Sequence, residues 1–316
     1  AGRRRRYDLA LMRKYALLFG LLGAAVVWNH DVRAAPKKGA VPAAGKAAPA
    51  CGAKVLPLVV GNTWTYNPVA APTSLSEAMQ RLAPSQPKQI VVTVKSIDKK
   101  GTDTVATIEE KHSYDLSKDP KEPKVVEQVV TGEITCNDKG KFDVGPELFF
   151  FAGEPGGVHG LQFDKFERKK ETSLKLTKGT IGENEWIEEI ASHFTRTPAK
   201  GSEGTKLVGG KLEMERKFTP QPQEKVVTKM GTYSAEKLGL ITSGRVTFDS
   251  VLSPEGKPCS ITKLDPEKKT EVKEPSAACE LPANWISTLW LAEGVGIVQS
   301  LNSYAHMYQL VDATLK

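Results

Sequence analysis

What this 316-residue sequence lacks removes several chemistries at once. Its four cysteines form no Cys-x-x-Cys pair and have no histidine close by in sequence, so the ligand spacing of a structural zinc site is missing. Five histidines include no His-x-x-x-His pair, which removes a zincin helix. There is no Gly-x-Ser-x-Gly elbow for Ser-His-Asp catalysis. Gly294-Val-Gly296 is followed by a strand-like run and no Lys-Ser/Thr, so it lacks the strand–loop–helix context of a phosphate cradle. No apolar run reaches the roughly 20 residues that a membrane-spanning helix needs. No long internal repeat is evident.

The carboxylates are plentiful but dispersed. Glu188 and Glu189 fall on opposite faces of a strand, and nothing in such spacing favours acid/base work. His112, His159, His193 and His306 are scattered along the chain. His159, in "GEPGGVHG", is the best candidate for an enzyme site assembled from dispersed residues, here the alternative reading. The residues themselves assign no catalytic group, no metal ligand and no cofactor, and they leave binding residues unknown. The expectation is a protein that is not an enzyme.

What is present first is an export pattern. Met12-Arg13-Lys14 precedes an apolar run from Tyr15 to Trp28, and Val32-Arg33-Ala34 offers a cleavage site. A basic end, a short apolar core and a small-residue exit make a secretory signal peptide over residues 1–34, with Met12 as an alternative start. Residues 1–34 hold seven of the 44 basic and two of the 37 acidic residues, so the remainder has 37 against 35, a net of +2. The +7 of the whole chain is therefore mostly leader charge, and no field for nucleic acid remains. Once the leader is cleaved, no stable transmembrane segment is expected. The expected location is periplasmic or extracellular, in a bacterial envelope.

Export changes the meaning of the cysteines. In an oxidising compartment four of them most simply form two disulfides, with three connectivities open. Cys51–Cys136 and Cys259–Cys279 are favoured, the second pair because it brackets a hydrophilic loop. Cys51 has a further reading as a lipidated cysteine, although "AAPAC" lacks the usual leucine.

Residues 35–50 are Ala, Pro, Lys and Gly with a single valine, Val41, which cannot bury enough to offset their ordering entropy, so they read as a disordered linker. Residues 51–316 read as one antiparallel β domain, with a hinge candidate at 199–204. Trp64 and Tyr66 alternate with threonines and asparagine at period two. Ser74-Leu-Ser-Glu77 is a capping box opening a short helix that Pro84 ends. The patterning predicts strands at 89–97, 102–114, 124–136, 185–197, 210–218, 231–241, 244–252, 286–292, 296–303 and 307–315. Phe149–Phe151 reads as a buried crossing, and Ser253–Pro282 as a charged loop. The fold class is mainly β: a curled antiparallel sheet, half-barrel-like, with one or two short helices. Trp64, Trp186, Trp285 and Trp290 belong either to its core or to a groove for sugar or lipid.

Three segments carry a resemblance. Gly61, Asn62, Trp64 and Tyr66 fit a Gly-Asn-x-Trp-x-Tyr strand. Gly231, Thr232, Tyr233 and Ala235 fit a Gly-Thr-Tyr-x-Ala strand, and Trp290, Gly294, Val295, Gly296 and Val298 fit a Trp-x-x-x-Gly-Val-Gly-x-Val hairpin. In this order they resemble the exported bacterial proteins labelled TapB-like. The resemblance implies a curled sheet similar to the half-barrels of periplasmic lipoprotein carriers, which hold acyl chains. It implies a lipid or envelope component as partner and carries no catalytic residues. Oligomeric state is left open.

Overall fold

The computed structural model describes residues 47–72, 86–115, 117, 124–145, 147–148, 165–170, 176–177, 179–194, 210–248, 260–264, 271–275 and 279–316. They belong to the second of two units, Gly39–Lys316. The signal peptide, the predicted helix at 74–83, Phe149–Phe151, His159, the 199–204 hinge and Cys259 lie outside the described residues, as does all of the predicted linker before residue 47.

The first half of the sheet grows by hairpins. β1 (Thr63–Val69) pairs with β2 (Gln89–Lys100), β2 with β3 (Asp103–Asp115), β3 with β4 (Val125–Cys136), and β4 with the short β5 (Phe142–Val144), all antiparallel. Each strand buries alternate residues, as a sheet with one wetted face must. Ile90, Val92 and Val94 face inward on β2, while Ile108, Glu110 and His112 do so on β3.

Next come β6 (Lys165–Lys170), β7 (Leu176–Thr177), β8 (Thr180–Ile181) and β9 (Trp186–Phe194). The long hairpin of β10 (Gly210–Thr228) and β11 (Gly231–Phe248) follows. The sequence predicts a shorter β10 and two strands in place of β11. A register shift between Gln221 and Glu224 absorbs Pro222, while Pro220 pairs with Leu238 past the point where the β10–β9 pairing ends at Phe218. Gly244 reads as a turn, yet it pairs with Met214 inside the ladder.

The stretch predicted as a charged loop contains β12 (Ser260–Leu264), paired with β13 (Glu271–Pro275), and β14 (Glu280–Pro282), paired with β11. Lys, Glu and Pro dominate there, and the apolar alternation that marks a strand is too thin to read. β15 (Trp285–Ala292), β16 (Gly296–Asn302) and β17 (Met307–Thr314) close the chain close to the predicted bounds. The helical turn among these residues is Ala50–Gly52.

One antiparallel sheet of thirteen strands results, with path β5-β4-β3-β2-β1-β17-β16-β15-β11-β10-β9-β6 and β14 beside β11. It is not closed: β5 and β6 are its two ends. It is strongly curled, because Arg216 on β10 donates to the carbonyl of Val144 on β5 at 3.1 Å, near the opposite end of the path. One apolar cluster accordingly mixes Ile90 and Phe142 from the first half with Trp186, Phe218 and Leu240 from the second. Burying each such side chain contributes about 1.5–3 kcal/mol. A second cluster gathers Ile190, Leu212, Met214, Val246, Phe248 and Trp285.

Candidate functional site

The two ends of the curled sheet meet over a buried ionic layer, which is the strongest concentration of chemical groups among the described residues. Strand parity builds it. Arg216 lies between Met214 and Phe218 on the inward face of β10, and Glu188 lies between Trp186 and Ile190 on β9. The two are directly opposite in the ladder. Arg216 donates through Nε at 3.1 Å and a terminal nitrogen at 2.6 Å to Glu188 Oε2. Its guanidinium also lies 5.5 Å from the centre of the Phe218 ring, which stacks on Trp186. Arg216 is 0% exposed.

Across the seam, Glu110 and His112 sit on one face of β3, two residues apart and both buried. His112 Nε2 is 3.1 Å from Glu110 Oε2. His112 Nδ1 is buried without a partner among the described residues. Tyr66 on β1 is buried too, and burial together with the Glu110 charge pushes its hydroxyl well above the ordinary tyrosine range.

Glu147, in the turn after β5, is 2% exposed. Its carboxyl is pushed up to about 8 by burial, against a hydrogen bond from its own backbone and the Arg216 charge, with Glu110 and Glu133 raising it further. Glu147 Oε2 has no partner among the described residues. Gly132 on β4 makes room for it: a Cβ there would run into Glu147 Oε1 and, at 2.8 Å, into Leu148. A charged carboxylate is disfavoured in such surroundings, while a carboxylic acid is tolerated.

The groups singled out in the sequence fall elsewhere. Gly294–Val295–Gly296 is the corner between β15 and β16, with Gly294 at φ 74° and Gly296 at φ 113°. Trp64 Nε1 donates to Val295 O at 2.5 Å, and a Cβ at Gly296 would lie 3.0 Å from that same nitrogen. Gly294 N–H donates to Lys54 O at 2.8 Å. Asn62 is fully buried: its amide donates to Pro57 O at 2.8 Å and its oxygen accepts from Lys316 N at 2.8 Å. Ala235 pairs with Ala292, which brings the third motif alongside. The three motif segments thus dock on one another as structure.

Trp64, Trp186, Trp285 and Trp290 are all buried, so the core reading holds for these four. Trp290 Nε1 donates to Glu224 at 3.0 Å, and Lys237 lies over its ring. His193 is exposed; His306 is buried, and burial holds it below the ordinary histidine range. Cys51 and Cys136 are joined by a disulfide. Cys279 is disulfide-bonded as well.

Sequence reasoning passed over Glu110, Glu147 and Arg216, and set Glu188 aside. Parity was the available signal for Glu110, Glu188 and Arg216: Ile108-x-Glu110, Trp186-x-Glu188-x-Ile190 and Met214-x-Arg216-x-Phe218 each place a charge in an apolar register. Glu147 sits in a turn and had no such signal.

Among the described residues no set of three or more His, Cys, Asp or Glu is placed to hold a metal ion, and no helix is long and apolar enough to cross a membrane. A cavity of about 560 Å³ opens between β8 and the β10–β11 hairpin, lined by Gln221, Gln223, Glu236 and Lys237 among others. Ile181, Pro220 and Pro222 line it as well, so its wall mixes apolar and polar groups.

Comparison with family models and with curated proteins finds no match. Two solved structures are similar in fold. One is a candidate lipoprotein from Parabacteroides distasonis, at 12% identity and TM-score 0.44, covering 83% of this chain and 99% of that one. The other is a candidate exported protein with a YmcC-like fold from Bacteroides fragilis, at 12% identity and TM-score 0.41, with the same coverage. Likeness at this level bears on neither ligand nor activity.

Proposed function

We propose that this chain is a non-enzymatic protein exported to a bacterial envelope, where its curled sheet acts as a structural or binding module. The observation that carries the reading is the state of the concave face. Trp64, Tyr66, Phe142, Phe218 and Tyr308 are each under 2% exposed there, and the ionic layer occupies the seam. Among the described residues the concavity is filled by the protein itself, which favours a module that presents its outside over a carrier that holds an acyl chain within. The basic, apolar and small-residue pattern of residues 1–34 supports export, to the periplasm or beyond. The convergence of the three motif segments supports membership of the TapB-like class, with structural roles for the shared residues.

The rival is a hydrolase-like site. Its sequence candidate, His159, lies outside the described residues; among those described, Glu110, His112 and Glu147 come nearest to such a site, and each is no more than 2% exposed, which argues against substrate reaching them. Mass spectrometry of organic extracts from the purified protein tests the proposal. No stoichiometric lipid is expected; one acyl lipid per chain would restore the carrier and overturn the structural module.

A further inference from the structure

An open sheet whose ends touch must hold them together by something other than a strand ladder. Arg216 does this: it donates from β10 to Val144 O on β5 at 3.1 Å, and beside that contact the turn after β5 lies back on β4. In that turn Gly145 N donates to Glu133 O at 2.9 Å and Leu148 N to Gly145 O at 3.1 Å. The turn carries Glu147 inward, over Gly132, with one carboxyl oxygen lacking a partner among the described residues.

The charged surroundings decide what that carboxyl can be. Glu110 and His112 face the layer from β3, Glu133 acts on Glu147 from β4, and Tyr66 approaches Glu110 from β1. Glu188 on β9 is already held by Arg216, and Asp143 on β5 is held by Lys141 at 3.3 Å. Arg216 is a cation acting on Glu147, and it is hydrogen-bonded to Glu188 and to Val144 O. An ionised Glu147 would have to share that cation with Glu188.

We propose that Glu147 is a proton-controlled latch on the turn after β5, beside the seam of the sheet. As the acid it lets that turn lie back on β4. As the carboxylate it leaves for water, taking the turn with it. The change is a simple loss of one proton from the Glu147 carboxyl to solvent, and it needs no other reactant.

The sign follows from burial. The folded carboxyl holds its proton up to about pH 8, whereas in the unfolded chain it loses it near 4.5. The latch is therefore fully closed below the unfolded value and weakens as pH rises through the folded one.

Hydrogen exchange of the full chain tests this, read as protection factors so that intrinsic exchange chemistry is removed. Protection of the 142–148 peptide is expected to fall by at least about tenfold between pH 6 and pH 9, because each pH unit across the released proton shifts the opening equilibrium by up to tenfold. Glu147→Gln, an uncharged amide of the same shape, should abolish the fall. Glu133→Gln, an exposed change beside the same turn whose carboxylate pairs with Lys100, should keep the fall. A flat wild-type profile, an equal fall in Glu147→Gln, or loss of the fall in Glu133→Gln would each overturn the latch.

Discussion

Two regions of this sheet are held together by opposite means. At the motif end, the 47–62 segment drives Ala53, Val55, Leu56 and Leu58 into the core, and Trp64 hydrogen-bonds to the β15–β16 corner. Every polar group named there has a short partner, and the rest is apolar contact. At the seam, Arg216, Glu188, Glu110, His112 and Glu147 are buried together. The first region gains from every atom removed from water. The second exchanges hydration for a few charge-assisted hydrogen bonds, a trade that roughly breaks even. The contrast teaches that burial alone does not rank the two: stability should come from the motif end, and conditional behaviour from the seam.

That comparison can be broken most severely at Trp64. Trp64→Ala should cost about 3–5 kcal/mol in urea unfolding, since it opens a cavity and orphans the Val295 carbonyl. Glu188→Ala should cost about 3 kcal/mol by leaving the Arg216 cation buried with a weakened shell. The double change Glu188→Leu with Arg216→Met should be near neutral, and this sharpens the contrast, because no apolar replacement at Trp64 would be. Replacing Cys51 and Cys136 by serine should cost about 2–4 kcal/mol, measured against wild type with the other cysteines intact. The smallest effect belongs to Lys54→Ala: its ion pair with Glu293 is exposed on both sides, so less than about 1 kcal/mol is expected.

The motif end was legible in the sequence because apolar patterning and turn glycines specify it locally. Trp64-x-Tyr66 gave the strand face, and Gly294-Val-Gly296 gave the corner, with Val295 tucked beneath it. The partner of Trp64, 231 residues away, could not be read, because no local pattern encodes a hydrogen bond to a distant carbonyl. The seam was less legible for a different reason. Glutamate and arginine between apolar neighbours look like surface charges until the path of the sheet is known. Only the curl that brings β5 to β10 turns Glu188–Glu189 from two faces of a strand into one buried and one outward carboxylate. β10 and β11 run past the predicted ends because Pro222 sits in a bulge and Gly244 pairs with Met214 inside the ladder, and both are properties of the pair of strands.

The central claim is that Arg216 joins the two ends of an open sheet. Amide exchange in the Glu188→Leu, Arg216→Met double variant tests it most directly. The account predicts that β9 and β10 keep their protection while the 142–148 peptide loses at least about tenfold, the worth of one charge-assisted hydrogen bond to Val144 O. Unchanged protection of that peptide, in a variant whose other strands remain protected, would contradict it.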